Sequence, residues 1–272
     1  MPYHGEAALV NWDVLQSPQI RGGGVHAEMA AALPMAGLDI KRRMILSTDR
    51  ALLWVHEAVT NKRTLSRIYN WVQHPTIEPP FLDENTVVDA NARKGFMQSS
   101  SLPNPEEPAV VWPQALKDGQ PVNLRHLIDE PQPSVVSYTI DEAYGWATAS
   151  NPSKGLLIGY LWKTEEYPWF NALRHVDESR QPLARGLEFG TTGLHLPFSA
   201  LVDKGRIFDR PLFAHIEPGQ TVTKSYASFL FTIPRDYEGV ARATFADGKL
   251  ILHERRTEGG RGLTMQVGDR FE

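Results

Sequence analysis

The chain has no cysteine. Disulfide staples, thiolate metal sites and a cysteine nucleophile are therefore excluded. It has no basic excess either. Lys plus Arg is 28 and Asp plus Glu is 32, a formal charge of −4, so nothing marks it as a nucleic-acid binder. No apolar run reaches the 18 residues of a membrane-spanning helix, so no membrane partner is expected. A basic start followed by an apolar stretch is missing from MPYHGEAALVNW, which makes the cytoplasm the expected location. The dinucleotide GxGxxG, the Walker loop, HExxH and GxSxG are all absent. Gly22-Gly23-Gly24 has no helix with Lys-Ser or Lys-Thr after it and reads as a plain loop. No long amphipathic helical period occurs.

What remains is an ordinary globular composition, 42% apolar and 22% charged, with 21 Gly and 20 Pro. That mixture suits many short strands joined by turns. Lys224 to Ile233 alternates, with Ala227, Phe229, Phe231 and Ile233 on one face. Ala51 to Thr60 does the same, with Leu53, Val55 and Val59 opposite Trp54, His56 and Ala58. Ser134 to Ile140, Gly155 to Trp162 and Lys249 to Glu254 read as further strands, bounded by turn residues such as Asp247-Gly248. Val25 to Leu33 has helical composition, but its β-like surroundings favour a strand. Residues 75 to 133 are rich in proline and predict long surface excursions. No linker divides the chain, so a single domain over 1–272 is expected. Strands at short spacing without βαβ alternation predict an all-β antiparallel sandwich.

Three islands place ionisable groups beside Gly, Pro or aromatic residues. They are His4-Gly5-Glu6 with Trp12, Trp71-Val72-Gln73-His74-Pro75, and Arg185 to Thr192. An imidazole and a carboxylate meeting in one pocket can serve as general acid and base. Glu188 is flanked by Leu187 and Phe189, so alternation turns its carboxylate to the opposite face. Partial desolvation there would raise its pKa toward neutrality. The competing reading is an ordinary solvated glutamate. His4 and His74 have bland readings too, as a solvated terminal residue and a turn histidine.

The islands, in this order, resemble the aldose 1-epimerase family and its wider galactose mutarotase-like superfamily. His4-Gly5 with Trp12 is similar to the early substrate-binding motif. Gln73-His74 resembles the strand-ending pair whose histidine is the general acid. Gly186-Leu187-Glu188 resembles the motif of the general base, and Pro218-Gly219 the turn before the last long strand. The resemblance spans residues 4 to about 235. It implies a β-supersandwich, a sugar substrate, no cofactor or metal, and catalysis by His74 and Glu188 with His4 holding the sugar. On that reading the acid and base stand at opposite ends of a sugar-sized gap. Trp71, Trp162 and Trp169 are candidate platforms for the sugar's CH face, Trp169 favoured for its loop-like context, and Arg174 is a further polar contact.

The sequence also departs from the family. Only three residues precede His4, where the family has several strands, so its first strands would be lacking. An unpaired edge left by them suggests a homodimer. Phe189 to Thr192 replaces the usual Thr-Gln pair. A sugar-binding module without turnover, and a glycoside lyase or hydrolase on the same fold, stand as alternatives. A divalent ion held by His4, Glu6, His74 and Glu188 belongs to the second of these.

Overall fold

The computed structural model describes residues 4–126, 134–177, 179, 182–256, 259–268 and 270. It is 56% strand and 4% helix, and its sheets are antiparallel, as the alternation predicts. By its contacts the chain divides into two compact units. One comprises Met1–Tyr69, Ala214–Phe229 and Arg270–Glu272, the other Asn70–Phe213 and Leu230–Asp269.

The first unit is an antiparallel sheet in the order Asp13–Arg21, Gly24–Leu33, Leu38–Ser47 and Leu52–Asn61, continued by residues 221–229 of the strand Thr221–Thr232. Gly22 and Gly23 join the first two strands as a two-residue hairpin loop. Both have positive φ, 54° and 77°, which glycine adopts without steric cost and which matches the twist of the flanking strands. The run Val25 to Leu33 is a strand despite its alanines, because its neighbour pairs with it rung by rung from Gly24↔Ser47 to Leu33↔Leu38. Trp54, Val55, Val59, Ala227 and Phe229 are each at most 2% exposed, so the strands read from alternation supply this core. Gly219, at φ 70°, makes the Pro-Gly turn before the last strand, and its N–H donates to the Asn61 carbonyl at 3.0 Å.

The second unit carries the strands Val87–Ala90, Tyr144–Asn151 and Leu156–Lys163 in one antiparallel set. A larger sheet runs in the order Val110–Val111, Ala92–Met97, Ser134–Ile140, Trp169–Val176, Pro182–Gly190 and Val72–Gln73, with Thr76–Ile77 also paired to Pro182–Gly190. The stretch 75–126 is not simply a surface excursion, because Val87–Ala90 and Ala92–Met97 within it are sheet strands that bury Val88 and Phe96. Phe189 stacks on Trp162 with centroids 4.2 Å apart and planes at 5°, and meets Tyr167 edge-on at 5.3 Å. Aromatic rings thus pack around Phe189 on one face of the strand Pro182–Gly190. Among the described residues, no helix is long and apolar enough to cross a membrane.

Candidate active site

The sequence around His74 explains its placement. Val72–Gln73 and Thr76–Ile77 both pair with Pro182–Gly190, through Phe189↔Gln73 and Gly190↔Val72 on one side and Arg185↔Ile77 and Gly186↔Thr76 on the other. His74-Pro75 interrupts them, because proline offers no N–H to the ladder. The Pro75 carbonyl still accepts from the Leu187 N–H at 2.9 Å, so the register is kept across the interruption. In that register His74 lies opposite Glu188. Residues directly opposite in an antiparallel pair share a face.

Nε2 of His74 is 3.0 Å from Oε1 of Glu188. The Glu188 side chain is 4% exposed and that of His74 is 38% exposed. Burial raises the Glu188 carboxyl to about 7, because the ionised form has lost its hydration. Glu188 is therefore not the solvated glutamate of the competing reading. The Thr76 hydroxyl lies 3.1 Å from Nδ1 of His74 and 3.3 Å from the His74 carbonyl oxygen. With the hydroxyl proton directed to that carbonyl, Nδ1–H donates to Thr76 Oγ1, which orients Nε2 toward Glu188. The imidazole and carboxylate touch. They do not flank an open, sugar-sized gap.

The polar row continues across the sheet. Asn171 is the cross-strand partner of Glu188, and Ser137 that of Asn171. Both are 0% exposed. Asn171 Nδ2 donates to the Thr192 carbonyl at 3.4 Å, while its Oδ1 has no hydrogen-bond partner among the described residues. Gln98 Nε2 donates to Ser137 Oγ at 2.6 Å and to the Gly193 carbonyl, and its Oε1 accepts the His195 N–H at 3.1 Å. A Cβ on Gly186 would come within 3.2 Å of Glu188 Oε1, so the missing side chain leaves room beside the carboxylate.

His195 is the group that the sequence reading missed. It is exposed, yet the protein around its ring, with a smaller contribution from His74, lowers its pKa to about 4. The signal available was its position seven residues beyond Glu188, after Thr191-Thr192-Gly193.

Of the other expected site residues, His4 belongs to the first unit and the tryptophans and Arg174 to the second. His4 is exposed in a turn of the first unit, ahead of the short 3-10 helix Glu6–Ala8. The Glu6 carboxylate accepts the backbone N–H groups of Met35 and Ala36 at 2.8 and 2.9 Å. Among the described residues, no three His, Asp or Glu side chains are grouped to hold a metal ion. Trp71 is 7% exposed, and its backbone N–H donates to Thr191 Oγ1 at 2.9 Å. Trp162 and Trp169 are 0% exposed and belong to the core, with no free face for a sugar. Their indole N–H groups donate to the carbonyls of Tyr167 at 3.0 Å and Pro211 at 2.7 Å. Trp169 opens the strand Trp169–Val176, which corrects the loop expected there. Arg174 is 4% exposed and donates to Ser134 Oγ at 3.3 Å. It lies three residues from Asn171, so strand alternation directs it to the opposite face from the polar row.

Antiparallel all-β architecture with a buried carboxylate against a histidine is the class that fold and site define. No protein-family model matches the chain, and no curated protein matches its sequence. Solved structures do match. The Slr1438 protein of Synechocystis sp. PCC 6803 aligns with a TM-score of 0.60 at 14% identity, over 84% of this chain and 68% of that one. A galactose mutarotase-like protein from Clostridium acetobutylicum aligns with a TM-score of 0.57 at 14% identity, over 82% and 67%. Galactose 1-epimerase from Lactobacillus acidophilus NCFM aligns with a TM-score of 0.54 at 11% identity, over 82% and 67%. This chain spans 53% of the length of a Klebsiella pneumoniae structure that it also resembles. The chain has the galactose mutarotase-like fold, with a sequence far diverged from those of its structural neighbours.

Proposed function

We propose that the protein interconverts the anomers of an aldose by acid–base ring opening, with His74 and Glu188 exchanging the protons. The observation that carries this reading is the 3.0 Å contact between Nε2 of His74 and Oε1 of Glu188, on a carboxyl group whose pKa is raised to about 7. Near neutral pH such a pair is poised to give one proton and take another. Mutarotation needs that combination. The base removes the proton from the anomeric hydroxyl O1 while the acid protonates the ring oxygen, and the bond between C1 and the ring oxygen breaks. The product is an open-chain aldehyde. Rotation about C1–C2 presents its other face, and the same two groups return the protons with their roles reversed. No net proton is gained or lost.

O1 and the ring oxygen are both bonded to C1, so the acid and base need not be far apart. An imidazole and a carboxylate already in contact can address the two oxygens after a modest side-chain rotation. The partial exposure of His74 gives the ligand access, while the buried Glu188 carboxyl stays fixed on its strand.

Polarimetry and saturation-transfer NMR on freshly dissolved α-glucose and α-galactose test the proposal. The expected result is faster equilibration of at least one aldose. Glu188→Gln and His74→Asn are each expected to lower turnover by about 10²–10⁴, the usual contribution of a positioned acid or base. Failure to accelerate any common aldose, or near-normal rates in either variant, would overturn the assignment.

A further inference from the structure

Beyond the acid–base pair, the second unit holds a group that the mechanism above leaves unused. We propose that His195 is a ligand-contacting residue of this site, hydrogen-bonding a hydroxyl of the molecule bound against His74 and Glu188, and that Gln98 is the residue that positions it. The inference rests on the reading that the site binds a sugar, and it adds a contact and a support that the acid–base scheme does not require.

Several fastenings hold the segment carrying His195 over the polar row. Leu194 is 2% exposed in an apolar cluster with Phe96, Trp169, Leu201, Ile207 and Leu212. Gly193 lies flat against Trp169, and a Cβ there would overlap the indole ring. The Thr192 hydroxyl accepts the Leu194 N–H at 3.2 Å. Gln98 joins the segment to the sheet by bonding Ser137, the Gly193 carbonyl and the His195 N–H together. A backbone held at this many points places its side chain at little further entropic cost, which suits a binding residue.

The placement also suits the chemistry. The segment borders the polar row directly, because the Thr192 carbonyl accepts from Asn171 Nδ2 and Gln98 ties the His195 N–H to Ser137; the field of His74 also reaches the His195 ring. The His195 ring stays uncharged at neutral pH. It therefore offers one N–H donor and one nitrogen lone pair, the complement of a hydroxyl group, which both donates and accepts. It would not compete with His74 as an acid, and it adds no positive charge that would disfavour a protonated His74. The expected ligand surface is a neutral polyol, matched by one imidazole, one buried amide oxygen on Asn171 and one carboxyl group.

The experiment measures aldose turnover by polarimetry and aldose binding by saturation-transfer NMR for the wild type, His195→Ala, His195→Gln and Gln98→Leu. His195→Ala should raise KM and weaken binding by about tenfold, the scale of one lost hydrogen bond, with kcat within about threefold. His195→Gln retains a donor and an acceptor and should recover most of the affinity. Gln98→Leu should weaken binding without shifting the pH–rate profile. Unchanged KM and binding in His195→Ala, or a loss confined to kcat, would overturn the inference while leaving the acid–base reading intact. If the wild type binds an aldose without turning it over and His195→Ala weakens that binding, the inference stands and the proposed reaction fails. A wild type that neither binds nor converts any aldose sinks both.

Discussion

Glu188 faces Asn171 on one side and His74 on the other, so three strands place an amide, a carboxyl group and an imidazole in one row. The reverse face of the same strand carries Phe189, stacked on Trp162. Aromatic packing on one face and a covered polar row on the other explain how a glutamate comes to be 3% exposed. Its raised pKa follows from that burial.

Burying Glu188 should cost stability, with a definite pH dependence. Its carboxyl has a pKa of about 7 in the folded chain against an ordinary 4.5. Between those values the unfolded chain has lost the proton that the folded chain keeps, so stability falls as pH rises from about 4.5 to about 7 and then levels off. Glu188→Gln removes this dependence. Thermal denaturation should show the variant gaining stability over the wild type at pH 8 relative to pH 5, by on the order of 2 kcal/mol. An equal difference at both pH values would argue against the raised pKa.

The same ionisation should govern turnover. Glu188 acts as a base only when deprotonated, so kcat/KM should rise with pH through about 7. The residual rate of Glu188→Gln should lack that limb. A wild-type profile flat between pH 5 and pH 8 would remove Glu188 from the role of base.

Gly193→Ala tests the packing beneath His195. The added methyl group meets the Trp169 ring, which is fixed in the core, so the segment must lift. A loss of about 1–3 kcal/mol is expected from overpacking of this kind, together with weaker sugar binding. Binding that survives at wild-type strength would show that the segment does not contribute to the site.

In the first unit, Glu6→Ala should destabilise the turn at Met35 and Ala36. Two charge-assisted hydrogen bonds, of 2.8 and 2.9 Å, are lost. Their donors lie near solvent, so a cost of about 1–2 kcal/mol is expected in chemical denaturation. An unchanged unfolding midpoint would mean that the carboxylate does not hold this turn.

The strands were legible because alternation is local. Ala227, Phe229 and Ile233 are buried as their spacing requires, and the sandwich class followed from the turns between such runs. Glu188 was legible for the same reason, since Leu187 and Phe189 determine which way it points. The tryptophans were not. Trp162 and Trp169 carry composition suited to either a core or a sugar platform, and only their neighbours, Phe189 for one and Gly193 with Leu194 for the other, decide between them.

The amino-acid sequence by itself determined the all-β character and the absence of thiol chemistry, since each depends on residue types and short-range periodicity. Only the tertiary structure decided that His74 touches Glu188 and that Gln98 ties the His195 backbone to Ser137. Those outcomes depend on strand register, and register is settled by pairing between segments far apart along the chain.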